Sequence, residues 1–343
     1  MKLAFPTLLC ALCVAMAPLT SHGQDNVLPD PEQMQRIEAS IDRALEYLVR
    51  HQNPDGSWVS WVGCNNAING VALLAFLGRG HVPGRGPYQT VVDRAVAFIV
   101  ATQTPQGLYL SPNSYQPMYE HGLSTLALIE AYGNIPTPAM RSSVQRAVDL
   151  IVKAQSPLGG WRYQPASQDA DLSVTVMQVV ALRAAQNARL RVSEETIAKA
   201  RQYVLSCAYP TGGFGYQPGG APGPARTAAG TLSMQLLGRF DDPSVKAGLD
   251  YLSKLAYSPA AIDFFYYCNY YAMQAAFQAG GESWERWHPR VRDWFLSNQN
   301  SDGSWPGLGS EAAFNHPAAF TYSTAMGAIC MEVYLHYLPA YQR

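Results

Sequence analysis

Charge is scarce in this 343-residue chain: Asp, Glu, Lys and Arg together make up 14%, and the formal net charge is −1. There is no basic stripe, which argues against a nucleic-acid partner. Of the six cysteines, Cys10 and Cys13 lie in an apolar run near the start, and the other four are widely spaced without any CxxC pairing, so neither a zinc ribbon nor a dense disulfide framework is indicated. No disordered tail is signalled either, because 48% of the residues are apolar, as in a core-rich globular protein. One mostly apolar run, Leu3 to Ala17, lies near the start, behind Lys2 and ahead of Ser21, His22 and Gly23. That order reads as an export signal, and the run is short for a membrane span. The expectation is a signal peptide over residues 1–23 and a single domain over 24–343. The protein is then exported, with no stable membrane span after signal removal. The cut leaves Cys64, Cys207, Cys268 and Cys330.

What the chain has in abundance is repetition. "QNPDGSW" at Gln52–Trp58 returns as "QNSDGSW" at Gln299–Trp305, with looser copies at Gln103–Tyr109, Gln155–Trp161 and Cys207–Tyr216. The aromatics Trp58, Tyr109, Trp161 and Phe214 are 51, 52 and 53 residues apart. The longer gap to Trp305 leaves room for a degenerate turn near Tyr257 to Ile262, which makes six units. An amphipathic helix leads into each turn, as in Ile37, Ile41, Leu45 and Leu48. Its glutamine falls four residues after the last apolar position. Pro, Asp and Gly then break the helix. A second helix follows, apolar on most faces, such as "NGVALLAFLG". A helix of that kind must be buried on most faces. Six such pairs predict an all-α fold, an (α/α)6 toroid with an outer and an inner ring. An open superhelix would need polar caps at both ends.

The Gln…Gly…Trp repeat resembles the "QW" motif of the terpenoid cyclase and prenyltransferase superfamily over roughly residues 33–338. The resemblance implies that Gln52, Gln155 and Gln299 tie helix ends to neighbouring units, with Trp58, Trp161 and Trp305 packed beside them. The tail "YLHYLPAYQR" and the block "GGWRYQP…DADLSVT" resemble an exported single-toroid subgroup. "DADLS" is similar to the DxDD acid motif of squalene–hopene-type cyclases. There the middle aspartate, kept protonated, gives its proton to an alkene. Asp169 and Asp171 match the first two aspartates, and Leu172 stands where a third would be. Prenyl transfer would imply zinc on an Asp, a Cys and a His. Asp263, Cys268 and His316 are the right types, but Asp263 and Cys268 are five apart where the family spaces them by two. No metal or other cofactor is expected. Complement-like thioester chemistry is discarded, because Ala67 stands where a glutamine would have to follow Cys64.

In such a toroid the N-terminal ends of the inner helices line one mouth of a central cavity. The polar residues cluster at these starts. The expected catalytic set is Asp171, as general acid, with Glu120 and His121. The expected ligand-binding set is Asp169, Tyr119, Tyr266, Tyr270, Tyr322 and Arg226. Helix capping competes for these residues, most directly for Asp169 and Ser173. The favoured partner is an apolar small molecule, terpenoid or lipid-like; pairing of two copies stays open. Two other readings also stay open. In one, Glu120 and Asp171 form an inverting carboxylate pair, roughly 6.5–9.5 Å apart, acting on a polysaccharide. In the other, the toroid is a non-catalytic scaffold.

Overall fold

A computed structural model describes residues 28–61, 65–335 and 338–341 of the chain. The signal peptide expected over 1–23 and Cys64 lie outside the described residues. Among the described residues, twelve α-helices alternate between two rings. The outer ring is α1 (Pro31–Arg50), α3 (Gln89–Ala101), α5 (Pro138–Lys153), α7 (Glu194–Ser206), α9 (Pro243–Ser253) and α11 (Gly281–Asn298). The inner ring is α2 (Asn65–Gly78), α4 (Pro117–Asn134), α6 (Leu172–Asn187), α8 (Pro224–Leu236), α10 (Phe265–Ala279) and α12 (Pro317–Glu332). Each inner helix touches the next, and α12 returns to α2, so the ring closes. The expected all-α toroid is the observed fold.

Sequence dictates which ring a helix joins. α1 buries one stripe, Ile37, Ile41, Ala44, Leu45 and Leu48 with Ser40 and Tyr47 beside them, at helical spacing, and leaves the opposite face to solvent. α4 buries almost every residue from Pro117 to Tyr132, because it has neighbours on both sides and an outer helix behind. Side chains at the starts stop several helices cleanly. Asp30, Thr137 and Ser193 accept from the N–H groups of Gln33, Met140 and Thr196.

The turns between rings carry the repeat. Gln52 Nε2 donates to the Gly56 carbonyl at 3.1 Å and to Val91 of α3 at 2.9 Å. Gln155 does the same to Gly159 and to Thr196 of α7. Each glutamine therefore closes its own turn and grips the outer helix of the next unit. Gly56 and Gly303, at φ +91° and +92°, occupy backbone that side chains rarely adopt. A Cβ at either would run into the backbone of that next helix, at Arg94 or Arg43. The indoles of Trp58, Trp161 and Trp305 are buried between the rings and donate to Leu48, Ile151 and Phe295 at 2.7–2.8 Å.

The far end of the hub is occupied by the chain itself. The Ala340 N–H donates to Glu130 Oε1 at 2.9 Å, Gln278 donates to the Tyr341 carbonyl, and the hydroxyls of Tyr341 and Tyr270 bond to each other. Among the described residues no helix is long and apolar enough to cross a membrane.

Candidate functional site

All six inner helices present their N-terminal turns to the same mouth, above a cavity of about 600 Å³. Its wall takes something from every unit: Trp61, Ile68 and Val71 from the first, Tyr119 and Leu123 from the second, Tyr163, Ser173 and Met177 from the third. Tyr216 and Arg226 come from the fourth, Asp263, Phe264 and Tyr267 from the fifth, and Tyr322 from the sixth. The surface is aromatic and aliphatic with few polar groups, the composition of small-molecule sites.

Tyr163 and Tyr216 are held rigidly. They follow the turn aromatics Trp161 and Phe214 by two residues. Their carbonyls accept from the first turn of the preceding unit's inner helix, Met118 N–H at 3.1 Å and Leu172 N–H at 2.9 Å. Their hydroxyls hydrogen-bond to each other at 2.5 Å. Tyr119 stacks on Tyr163, with ring centroids 5.9 Å apart. The Arg162 guanidinium covers the Tyr163 ring at 4.8 Å and the Tyr216 ring at 5.6 Å. It also reaches Asp169 at 3.3 Å and Asp171 at 3.7 Å.

The residues expected from the sequence divide into two groups. Tyr119, Arg226 and Tyr322 line the cavity. Asp171, Glu120, His121, Asp169, Tyr266 and Tyr270 do not. Asp171 is 0% exposed and caps α6, its Oδ1 accepting the Val174 N–H at 2.9 Å. Its Oδ2 has no hydrogen-bond partner of good geometry. Burial pushes its pKa up, against the opposing pull of the Val174 N–H, the nearby Tyr216 hydroxyl and Arg162. Asp169 is exposed beside Arg162.

Glu120 faces sideways into the ring wall, where one oxygen accepts the Ser111 N–H at 3.2 Å and the other is buried without a partner. Burial raises its pKa as well. His121 faces outward. Its Nδ1 accepts the Tyr109 N–H at 3.2 Å and its Nε2 meets the Ala147 carbonyl at 3.1 Å. Burial holds the ring neutral, its pKa lowered to about 4. Asn69, Thr175, Thr227 and Thr324 take the N–H of the turn aromatic in the same way in their units. His121 is thus the second unit's version of a structural post.

Tyr266 and Tyr270 are buried in the wall and below the floor; Tyr266 spends its hydroxyl on the Pro306 carbonyl at 2.5 Å. The three residues weighed as a zinc set are dispersed: Asp263 lines the mouth, Cys268 is buried in the wall, and His316 caps α12 through Nδ1. No group of three His, Cys, Asp or Glu side chains that could hold a metal exists among the described residues.

Glu311 carried no sequence signal. It lies in the 3-10 turn Gly309–Asn315 and accepts the N–H groups of Tyr266 at 2.8 Å and Tyr267 at 3.0 Å, with the Tyr322 hydroxyl at 3.1 Å. It caps α10 from a distance, because the local cap position, Phe264, has left-handed backbone at φ +50° and no capping side chain. Burial pushes the Glu311 pKa up to about 7. Tyr163 and Tyr216 were equally unannounced, although their shared offset from a repeat aromatic was a usable signal.

Among curated proteins, a stretch of 151 residues is 30% identical to drimenyl diphosphate synthase of Streptomyces showdoensis, covering 43% of this chain and 27% of that enzyme. A stretch of 186 residues is 26% identical to drimenyl diphosphate synthase of Streptantibioticus cattleyicolor, covering 53% of this chain and 33% of that enzyme. The chain thus spans about a quarter to a third of the length of these relatives. Among solved structures, an α-1,6-mannanase of Salegentibacter sp. HEL1_6 superposes at TM-score 0.63 with 11% identity, over 87% of this chain and 98% of that one. A D-mannose isomerase does so at 0.63 with 14% identity, over 90% and 99%. At these identities the likeness is one of fold. The model of the prenyltransferase alpha-alpha toroid domain matches residues 67–262, more than half of the sequence, and the chain belongs to that family.

Proposed function

We propose that this protein binds an apolar, terpenoid-like ligand in the hub of its toroid. The observation that carries the reading is the cavity of about 600 Å³, walled by aromatic and aliphatic side chains from all six units and open at one mouth. The similarity to two drimenyl diphosphate synthases supports a terpenoid over other apolar molecules. A sugar-cleaving site would need two carboxyls in the cavity. Among the described residues only Asp263 supplies one, while Glu120 and Asp171 lie inside the wall.

Acid-initiated isomerisation or cyclisation is the finer step of the same reading. Asp171 is its acid, since burial favours the protonated form. Its proton would enter the cavity through the Tyr216 hydroxyl, because the carboxyl itself does not line the wall. Native mass spectrometry of the purified protein tests the reading. A bound terpenoid or related lipid is the expected outcome, and a bound glycan or an empty cavity under lipid-rich expression contradicts it.

A further inference from the structure

The cavity wall holds two charged side chains, Arg226 and Asp263, and they are not equivalent. Asp263 is occupied. Its Oδ1 accepts the Phe264 N–H at 3.0 Å and the Ser310 hydroxyl at 3.2 Å. Four of the five tyrosine hydroxyls in the wall are occupied too. Tyr163 and Tyr216 bond to each other, Tyr322 donates to Glu311, and Tyr267 points to the Ser173 carbonyl at 3.5 Å. Arg226 differs. It is half-buried, and no carboxylate stands within ion-pair distance of it among the described residues. Its guanidinium lies against the bare backbone of Gly223 at the mouth.

Resting on the reading of the hub as an apolar-ligand site, we propose that the ligand is a monoanion: a terpenoid-like body with a single carboxylate, bound by Arg226. A guanidinium presents a planar fork of donors that matches a carboxylate. The charge around the mouth sets the limit on that anion. The other arginine there, Arg162, is engaged by Asp169 at 3.3 Å. Asp263 and Glu311 add acidic groups at the fifth and sixth units. One free cation amid acids suits a single negative charge. A diphosphate would bring several charges to a mouth without net positive potential, where like charges repel.

Calorimetric titration of the intact protein with farnesol, farnesoic acid and farnesyl diphosphate tests this, with the wild type and Arg226→Gln. The expected order is acid tightest, with the diphosphate weaker than the acid. Arg226→Gln should weaken the acid about 10-fold or more, the effect of losing one charge-assisted hydrogen bond. It should leave farnesol unchanged, which also shows that the variant is folded. Arg226→Lys should recover part of the loss. If farnesol binds and the acid binds no tighter, or if Arg226→Gln weakens both alike, the carboxylate assignment fails and the apolar site stands. A diphosphate tighter than the acid overturns the assignment in the same way. If neither farnesol nor the acid binds the wild type, the apolar-site reading itself fails with it.

Discussion

Gln299, just past the last outer helix, donates to the carbonyl of Ser40 in the first outer helix at 2.8 Å, and the Ser40 hydroxyl donates back to Gln299 Oε1 at 2.9 Å. The same glutamine also closes its own turn on Gly303 at 2.9 Å. The turn that joins unit three to unit four, Gln155 with Gly159 and Thr196, is thereby reproduced between unit six and unit one. The wheel is closed by the same device that builds each spoke.

A closed ring has no terminal unit, so the joint between its ends should matter as much as an internal one. Gln299→Ala and Gln155→Ala are expected to cost similar amounts, about 1–3 kcal/mol each, because each removes two hydrogen bonds from a joint between units. Urea unfolding should show one cooperative transition for both variants. A Gln299→Ala protein as stable as the wild type would mean that the two ends are only juxtaposed.

Asp171 has a structural duty and a proposed chemical one, and two substitutions separate them. Asparagine is as good a cap as aspartate, so Asp171→Asn should fold normally, whereas Asp171→Ala should lose about 1 kcal/mol with the cap. Both remove the acid. If turnover of a bound terpenoid is found, both variants should lack it while ligand binding in Asp171→Asn persists. Turnover in Asp171→Asn at the wild-type rate would leave Asp171 as a cap alone.

Glu130 makes stability depend on pH. Burial raises its pKa from 4.5 to about 8, against the Ala340 N–H that it accepts. Between these values the unfolded chain ionises the group while the folded protein keeps it neutral. Stability from this group is therefore full below pH 4.5 and is lost as the pH rises through 8, at up to about 1.4 kcal/mol per pH unit. Glu130→Gln should flatten the decline. The difference between the two proteins is read most cleanly from about pH 7.5 to 8, where His121 is largely neutral in both states. Parallel stability profiles for wild type and variant would contradict the assignment.

Two inner-helix glycines make room for turn aromatics. A Cβ at Gly230 would meet the Phe214 ring, and one at Gly327 would meet Trp305. Gly230→Ala should cost about 1–3 kcal/mol by overpacking, despite the better helix propensity of alanine. A stabilised Gly230→Ala variant in thermal unfolding would show that the rings are looser than this packing implies.

The fold was legible because its signals are local. Each unit spells an amphipathic stripe, a Pro/Asp/Gly break, an aromatic and an apolar helix, and these follow from periodicity and turn chemistry. The site was only half legible, because successive residues on a helix point about 100° apart. Tyr119 faces the hub, Glu120 faces the wall and His121 faces the outer ring, although all three open the same helix. In α10 the same rotation brings Tyr267 to the cavity and leaves Tyr266 in the wall. Trp61, Tyr163 and Tyr216 come from the irregular segments before the helices, where no helical period announces a direction. Glu311 caps α10 from 45 residues away. Such a pairing depends on the closed ring and has no mark in the local sequence.

The most direct test of the central claim is to fill the hub. Leu123 lines the cavity, and Leu123→Trp adds bulk to its wall. Calorimetric titration with farnesol should give saturable binding to the wild type and none to Leu123→Trp, with circular dichroism unchanged. Equal binding by both proteins would show that the ligand sits elsewhere and that the hub is not the site.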